Sequence, residues 1–416
     1  MMIDLDKWQE IYDTLKRHKL RSSLTAFGVF WGIFMLVILL GAGKGLQNGV
    51  TGQFGGSVNE IYLWTGVTSL PYEGLPKGRQ IVLRDRDVVA IRQQVSGIDL
   101  LLPINTIAGL PVTYADKNEG YRIRGAHPES SLVSSFDLTF GRFINQFDVD
   151  QRRKVAVIGS QVQTVLFGEG VDPIGKTIEI KGIPFLVVGV SFSTSVGGGN
   201  RNENENIYIP NSTLRYTYNQ ASYVQQLIYT PLNGGEASAL EAEVKQLVAT
   251  RHKVHPDDAV AIRSFNVQEE YDKIQALFTG IAVFSWLVAV GTILAGVIGV
   301  GNIMLIVIKE RTKEIGIRKA LGATPQSIVV MIVQEALVMT GVAGYFGLVV
   351  GVLLLETINS VLQSAGGGGE FFANPEIDFQ IAVIAIVVLM AAGTLAALMP
   401  AYKAAQIDPV RALSDE

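Results

Sequence analysis

Lys309-Glu310-Arg311-Thr312-Lys313-Glu314-Ile315-Gly316-Ile317-Arg318-Lys319-Ala320-Leu321-Gly322-Ala323-Thr324-Pro325 is a highly charged segment set between two long apolar stretches. Five of its first eleven residues are basic, which places it on the cytoplasmic side of a membrane. Its punctuation is that of a short helix. Glu314 and Arg318 form an i, i+4 pair in the favourable order, Gly322 suits a C-terminal cap, and Thr324 with Pro325 suits the start of the next helix. Ile315, Ile317 and Leu321 give it apolar surface. Two readings stand: a docking helix for a soluble partner, or a solvated connector with ordinary positive-inside charges.

Outward from this segment, the chain is 48% hydrophobic and only 17% charged over 416 residues, too apolar for an ordinary soluble enzyme. A net charge of -4 offers no basic face for nucleic acid. With no cysteine, disulfides and thiolate metal sites are excluded. Four stretches reach the roughly 20 apolar residues that cross a bilayer: 22–43, 274–308, 328–355 and 379–402. The first is too long for a cleavable signal peptide, and no Ala-x-Ala site follows it.

Lysine and arginine set the orientation. Lys7, Lys16, Arg17, Lys19 and Arg21 lie in residues 1–21, and five basic residues fill 309–325, whereas 356–378 has none. Residues 1–21 and the 403–416 tail are therefore expected to be cytoplasmic, and 356–378 to be a short outer loop. Residues 44–273 must then also be outside. The expected architecture is a membrane protein with four transmembrane α-helices and a large α+β extracytoplasmic domain inserted between helices 1 and 2.

Within 44–273, strand-like runs occur at 60–64, 100–104, 154–158, 185–190 and 225–229. Helical patterns occur at 85–95, with Asp85 as N-cap, and at 236–249. A strand, a helix and a strand thus follow one another at each end of the segment. The two units are expected to pair into one α+β lobe, with a β-rich lobe inserted at about residues 118–205. The stretch 191–206, rich in Ser, Gly and Asn, reads as an outer loop.

Gly170-Val171-Asp172-Pro173-Ile174-Gly175-Lys176-Thr177 satisfies the phosphate-loop pattern. That chemistry needs a helix directly after it, and a period-two strand follows instead, so a turn entering a hairpin is expected. His252 and His255 lie near Asp257 and Asp258, and the spacing allows a shared metal or an ordinary polar stretch after a helix. No catalytic constellation is evident, so no catalytic, cofactor-binding or metal site is assigned.

The second span exceeds what a bilayer requires, and its outer turns are expected to continue as a stalk into the outer domain. Gly291, Ala295 and Gly299 recur at spacing four, as do Ala343, Gly347 and Gly351. Such stripes let helices approach closely in lipid, although glycine is common in spans generally. Glu335 is the lone acid inside a span, a structural ion pair or a proton or substrate group.

The stretch Gly299–Ala323, with its Glu310-Arg311-Thr312-Lys313-Glu314-Ile315-Gly316-Ile317-Arg318 core, closely resembles the FtsX-like permease domain of MacB-type ABC transporters. The tail Pro400–Leu413, with Asp408-Pro409, looks like that family's closing motif, and Lys19-Leu20-Arg21-Ser22 with Thr25 and Gly28 matches its first span. Val155–Ser160, Leu166-Phe167-Gly168, Pro173–Thr177 and Ile207–Pro210 resemble the family's periplasmic core domain, so the phosphate-loop lookalike is itself a family feature.

The resemblance implies a dimer, with a second permease copy or a paralogue, and an ABC ATPase subunit bound beneath. It implies a multi-pass protein of the bacterial inner membrane with a periplasmic domain, contacting lipid and no nucleic acid. Cofactors are implied only on the ATPase, which would hold ATP and Mg. The short helix would dock on that ATPase, making Glu310, Arg311, Glu314, Ile315, Gly316, Arg318, Lys319 and Gly322 coupling residues. Movement would pass through the spans to the outer domain, a mode called mechanotransmission, in an efflux or export pump with a periplasmic adaptor and outer-membrane channel above. Lipoprotein release, or FtsX-like signalling to a cell-wall hydrolase, are the alternatives. MacB itself carries its ATPase at the N-terminus, whereas residues 1–21 alone precede the first span here, so the ATPase is expected on a separate, partner chain.

Overall fold

The computed structural model describes residues 19–52, 58–133, 137–193, 203–232, 236–364, 372, 375 and 379–408. Most of residues 1–21, expected as a cytoplasmic helix, of the 191–206 loop and of the 356–378 loop lies outside them, as does the tail beyond Asp408; the described start of that last loop, residues 356–364, is helical instead. Two compact units emerge, residues 51–275 and the combination of 1–50 with 276–416.

The chain opens with helix α1 (Lys19–Gly52), strand β1 (Ile61–Thr65), helix α2 (Asp85–Gln94) and strand β2 (Ile98–Ile104). Next come β3 (Thr106–Tyr114), β4 (Lys117–Ala126), α3 (Ser130–Val133), β5 (Asp137–Gly141), α4 (Gln146–Asp150) and β6 (Val155–Gly159). Helix α5 (Ser160–Phe167) leads to β7 (Thr177–Ile180), β8 (Ile183–Phe192), β9 (Asn206–Pro210) and α6 (Asn211–Thr217). Then follow β10 (Gln226–Pro231), α7 (Ala237–His252) and β11 (Ile262–Asn266). Four helices complete the chain: α8 (Val267–Glu310), α9 (Thr312–Ala320), α10 (Pro325–Ser364) and α11 (Phe379–Ala405).

In residues 51–275, one sheet runs β11-β1-β10-β2 with every neighbour antiparallel. Strands β1 and β2 flank β10, and β10 and β11 flank β1, so β1-α2-β2 and β10-α7-β11 are two interlocked split β-α-β units. Helices α2 and α7 cover one face, burying Ile61, Leu63, Ile91, Leu227, Tyr229, Val244 and Val248 together. Asp87, on α2, ties these helices: its carboxylate accepts from the Arg84 N–H at 2.9 Å and from Arg251 Nε at 2.9 Å. Arg84 is the N-cap and Asp85 the first helical residue, so the expected Asp85 cap moves by one. Asp85 instead pairs with Arg215 at 2.8 Å.

The second sheet orders β5-β8-β6-β9-β4-β3-β7 and adds a β8–β7 pairing. Strand β7 thus joins both β3 and β8, closing six strands into a barrel with β5 on the outside of β8. Closure removes the exposed edges that invite aggregation. The interior holds Val112, Ile123, Ile158, Ile178, Phe185, Val187 and Ile207, with Val162 and Leu166 from α5. This lobe begins at Thr106 and includes β9 and α6, so the expected bounds of 118–205 are too narrow. The reason is physical: β3 and β9 pair with distant strands, and their partners set their membership.

Gly175 has φ +80 and β7 follows at once into the β7–β8 hairpin. The phosphate-loop lookalike is therefore a turn, and Lys176 Nζ lies 5.3 Å from the centre of the Phe167 ring. The histidines and aspartates after α7 do not converge. His252 Nε2 is 3.1 Å from Asp87 Oδ2. Asp258, far from being solvated, is buried and takes the Ser69 hydroxyl at 2.7 Å and the Ser69 and Leu70 N–H groups.

The other unit is a helical bundle, and α1, α8, α10 and α11 are each long and apolar enough to cross a membrane. All four helices outrun or match the apolar stretches that announced them. Helix α8 has 44 residues, on the order of 66 Å at 1.5 Å per residue. It starts directly after β11, where Asn266 Oδ1 accepts from the Glu269 N–H at 3.3 Å, a capping contact.

Candidate functional site

The charged segment folds as the helix α9 between α8 and α10. Arg311, at φ -100 and ψ 15, interrupts the helical path and serves as the N-cap of α9. The Thr312 hydroxyl bonds back to Lys309 O at 2.8 Å. At the far end Gly322 adopts φ +98, a left-handed position that glycine occupies without a Cβ penalty. Thr324 Oγ1 then accepts from the Ser327 N–H at 3.2 Å, starting α10 at Pro325, as the sequence suggests.

The inner face of α9 is fixed to the bundle. Ile315 is buried in one cluster with Ile328, Ile332 and Ala404, and Gly316 is buried beside it. Lys319 Nζ donates to Ala405 O at 2.8 Å and Ile407 O at 2.7 Å, placing a cation at the C-terminal end of α11, where carbonyls lack helical partners. Arg318 reaches Glu314 at 2.9 Å and Met331 Sδ at 2.9 Å. Arg311 Nη1 lies 3.7 Å from Glu335 Oε2, and its Nε 4.0 Å from Glu314. Glu335 is only 6% exposed, so an ion pair to a buried carboxylate joins the start of α9 to α10.

The outer face is different. Leu321 is 83% and Ile317 48% exposed, and they stand four residues apart on one side of α9 with Lys313. Glu310, Lys313 and Glu314 are exposed around them. Of the residues expected to couple, Ile315 and Gly316 are buried. Arg311 and Lys319 are engaged with the bundle. Glu310, Glu314, Arg318 and the exposed Gly322 remain at or near the surface, and Ile317 and Leu321 join them.

The two small-residue stripes differ in what they meet. Nothing in the described structure lies within 4 Å of a Cβ built at Gly291, and Ala295 is exposed, with Gly299 half-buried. Among the described residues, Gly291 of that stripe therefore marks no close helix contact. The crossing of α8 with α1 uses Gly296 and Gly28 instead, a Cβ on Gly28 falling 3.7 Å from Gly296 Cα. Gly32 adds a 3.3 Å approach to Thr292. Gly347 and Gly351 do mark a crossing: a Cβ at Gly347 would sit 2.6 Å from Phe30 O, and one at Gly351 would run into Val37. Ala343 is buried in the same cluster. Close approach through small residues is how helices associate in lipid.

Residues 22–247 match the MacB-like periplasmic core domain family, and residues 286–409 the FtsX-like permease C-terminal family. The chain is 28% identical over 407 residues to a macrolide export ATP-binding/permease protein MacB of Bdellovibrio bacteriovorus, covering 97% of this chain and 61% of that one. It is 28% identical over 406 residues to a pyoverdine export ATP-binding/permease protein PvdT of Pseudomonas entomophila, covering 96% and 58%. The crystal structure of the periplasmic region of MacB from Actinobacillus actinomycetemcomitans is similar at a TM-score of 0.43 and 20% identity, covering 54% of this chain and 94% of that one. The chain spans 61% and 58% of the length of these two relatives.

Proposed function

The chain belongs to the MacB-like periplasmic core domain family, and from that premise we propose that it is the permease part of an ABC exporter. One observation carries the reading. Helix α9 is fixed to the bundle by Ile315, Arg311–Glu335 and Lys319, yet it leaves Ile317 and Leu321 uncovered by the bundle. A short helix so placed suits insertion into a cleft on a soluble ATPase, because exposed apolar side chains rimmed by charge mark interaction surfaces.

In this reading α9 and both chain termini face the cytoplasm of a bacterium, with residues 51–275 in the periplasm, the orientation that the lysine and arginine distribution supports. The ATPase holds the ATP and Mg, and this chain carries no catalysis. Closure of the ATPase moves α9. The buried pair Arg311–Glu335 passes the movement to α10, and the unbroken α8 carries it to β11, since a continuous helix has no joint to absorb it. The exposed Gly291 and Ala295 stripe is available to a second permease copy or a paralogue. A periplasmic adaptor and an outer-membrane channel would complete the path for cargo already outside the inner membrane.

The test is ATP hydrolysis by the reconstituted complex. Leu321→Asp and Ile317→Asp are expected to cut stimulated hydrolysis about tenfold, the loss of one well-buried anchor, with insertion and helix content unchanged. Unaltered stimulation by a correctly inserted variant would contradict the docking role.

A further inference from the structure

Two chain crossings join the four-stranded lobe to the barrel lobe: β2 into β3 at Asn105, and α6 into β10 through residues 218–225. Asn105 is fully buried. Its Nδ2 donates to Gln220 Oε1 at 2.9 Å and to Tyr223 O at 3.2 Å, tying the outgoing crossing to the returning one. Its backbone N–H goes to Asn211 Oδ1 at 3.1 Å, and the Thr106 N–H goes to Gln225 Oε1 at 2.7 Å. Gly125 makes room for this: a Cβ there would stand 2.1 Å from Asn211 Oδ1.

Two side chains of the barrel lobe converge on one carbonyl of the other lobe. Pro103 O, near the end of β2, accepts from Asn211 Nδ2 at 2.8 Å and lies 2.8 Å from His127 Nε2. A carbonyl only accepts, so Nε2 carries the proton of the neutral ring. His127 is half-buried just past β4. Among the described residues the charges facing it are Glu129 in its own segment, Arg215 of α6 and Arg92 of α2, and Arg215 also holds Asp85 of α2 at 2.8 Å. Burial, which outweighs the Pro103 bond and Glu129, and then the two arginines hold the ring's pKa below its ordinary 6.5. The network is also one bond short: among the described residues Asn105 Oδ1 is buried without a hydrogen-bond partner, a cost carried by the closed joint.

We propose that this joint is an acid-sensitive latch: with His127 neutral it locks the barrel lobe to the four-stranded lobe, and protonation of His127 releases it. The linkage has a definite sign. Opening the joint returns the ring to water and to its ordinary pKa, so the open form takes the proton more readily than the closed one. The closed form is favoured at high pH. As pH falls below about 6.5 the open population rises, by up to about tenfold per pH unit, until the closed form itself is protonated. The inference rests on residues 51–275 alone and is independent of the exporter reading.

Hydrogen–deuterium exchange of the full chain in nanodiscs tests it, at about pH 7.5 and about pH 5.5, either side of the ordinary histidine value, with intrinsic exchange rates corrected for. The Asn105 and Thr106 amides, whose bonds belong to the joint, are expected to lose about tenfold in protection at the lower pH. The amides of Ile158 and Val187, inside the barrel, should keep theirs. His127→Gln offers the same carbonyl an N–H that does not titrate, and should hold the protection at both pH values. His255→Gln, a histidine outside the joint, should leave the pH response as it is in the native chain. Protection at Asn105 and Thr106 that ignores pH, an equal loss at Ile158 and Val187, or a pH response that survives His127→Gln overturns the proposal.

Discussion

Arg311 Nη1 stands 3.7 Å from Glu335 Oε2, joining the first residue before the short helix α9 to the body of α10. Glu335 is the more buried member, at 6% exposed, so removing the cation costs more than the pair itself contributes. Arg311→Met is therefore expected to lower the unfolding free energy in detergent by about 3 kcal/mol, whereas Arg311→Met with Glu335→Met together should cost far less. Thermal unfolding of the two variants checks this.

Glycine positions separate packing from composition. At Gly347 an added Cβ would meet the carbonyl of Phe30 at 2.6 Å, while at Gly291 it would meet nothing within 4 Å. Gly347→Val should destabilise the bundle by about 1–3 kcal/mol, and Gly291→Val by less than about 0.5 kcal/mol. The same unfolding assay, on protein dilute enough to be monomeric, measures both.

Asp258 gives the unit of residues 51–275 a pH signature. Burial pushes its carboxyl up, but hydrogen bonds from Ser69, Leu70 and Ala261 outweigh that and lower its pKa from 3.8 to about 2. The folded state thus favours the ionised form. Its stabilisation is complete above the unfolded pKa near 3.8, and it is lost as pH falls through about 2. Asp258→Asn should flatten the acid limb of the stability profile between those values, read by denaturant titration at several pH values.

The phosphate-loop lookalike should be inert. Lys176 contributes a contact with the Phe167 ring at 5.3 Å, worth about 0.5–1 kcal/mol at an exposed site. Lys176→Ala should cost no more than that and leave nucleotide binding by this chain unchanged, measured with a fluorescent ATP analogue.

The four spans were legible because lipid forces backbone polar groups into continuous apolar helices, and nothing shorter suffices. Their ends were not, because the first turns of α8 and the last of α10 carry polar residues such as Glu269, Asp272 and Asn359 that no window flags. The two β-α-β units were visible as short runs with caps. The barrel was not: β4 reads Lys117-Asn118-Glu119-Gly120-Tyr121-Arg122, and it is a strand because β3 and the distant β9 pair with it. Spacing four found both glycine stripes but could not say which one meets a helix. Gly28, Gly32 and Gly296 follow the same rule and were passed over. Within α9 the composition marked a short charged helix, but only the positions of α10 and α11 decide that Ile315 faces in and Ile317 and Leu321 face out.

The most direct measurement exploits the absence of cysteine from the chain. Leu321→Cys, labelled with a photo-reactive maleimide in native membranes, reports what touches the outer face of α9. Cross-linking to an ABC ATPase domain, lost when Ile317→Asp is added, is the expected result. A label at 321 that captures no ATPase while the protein is correctly inserted would contradict the docking of α9 and the exporter reading with it.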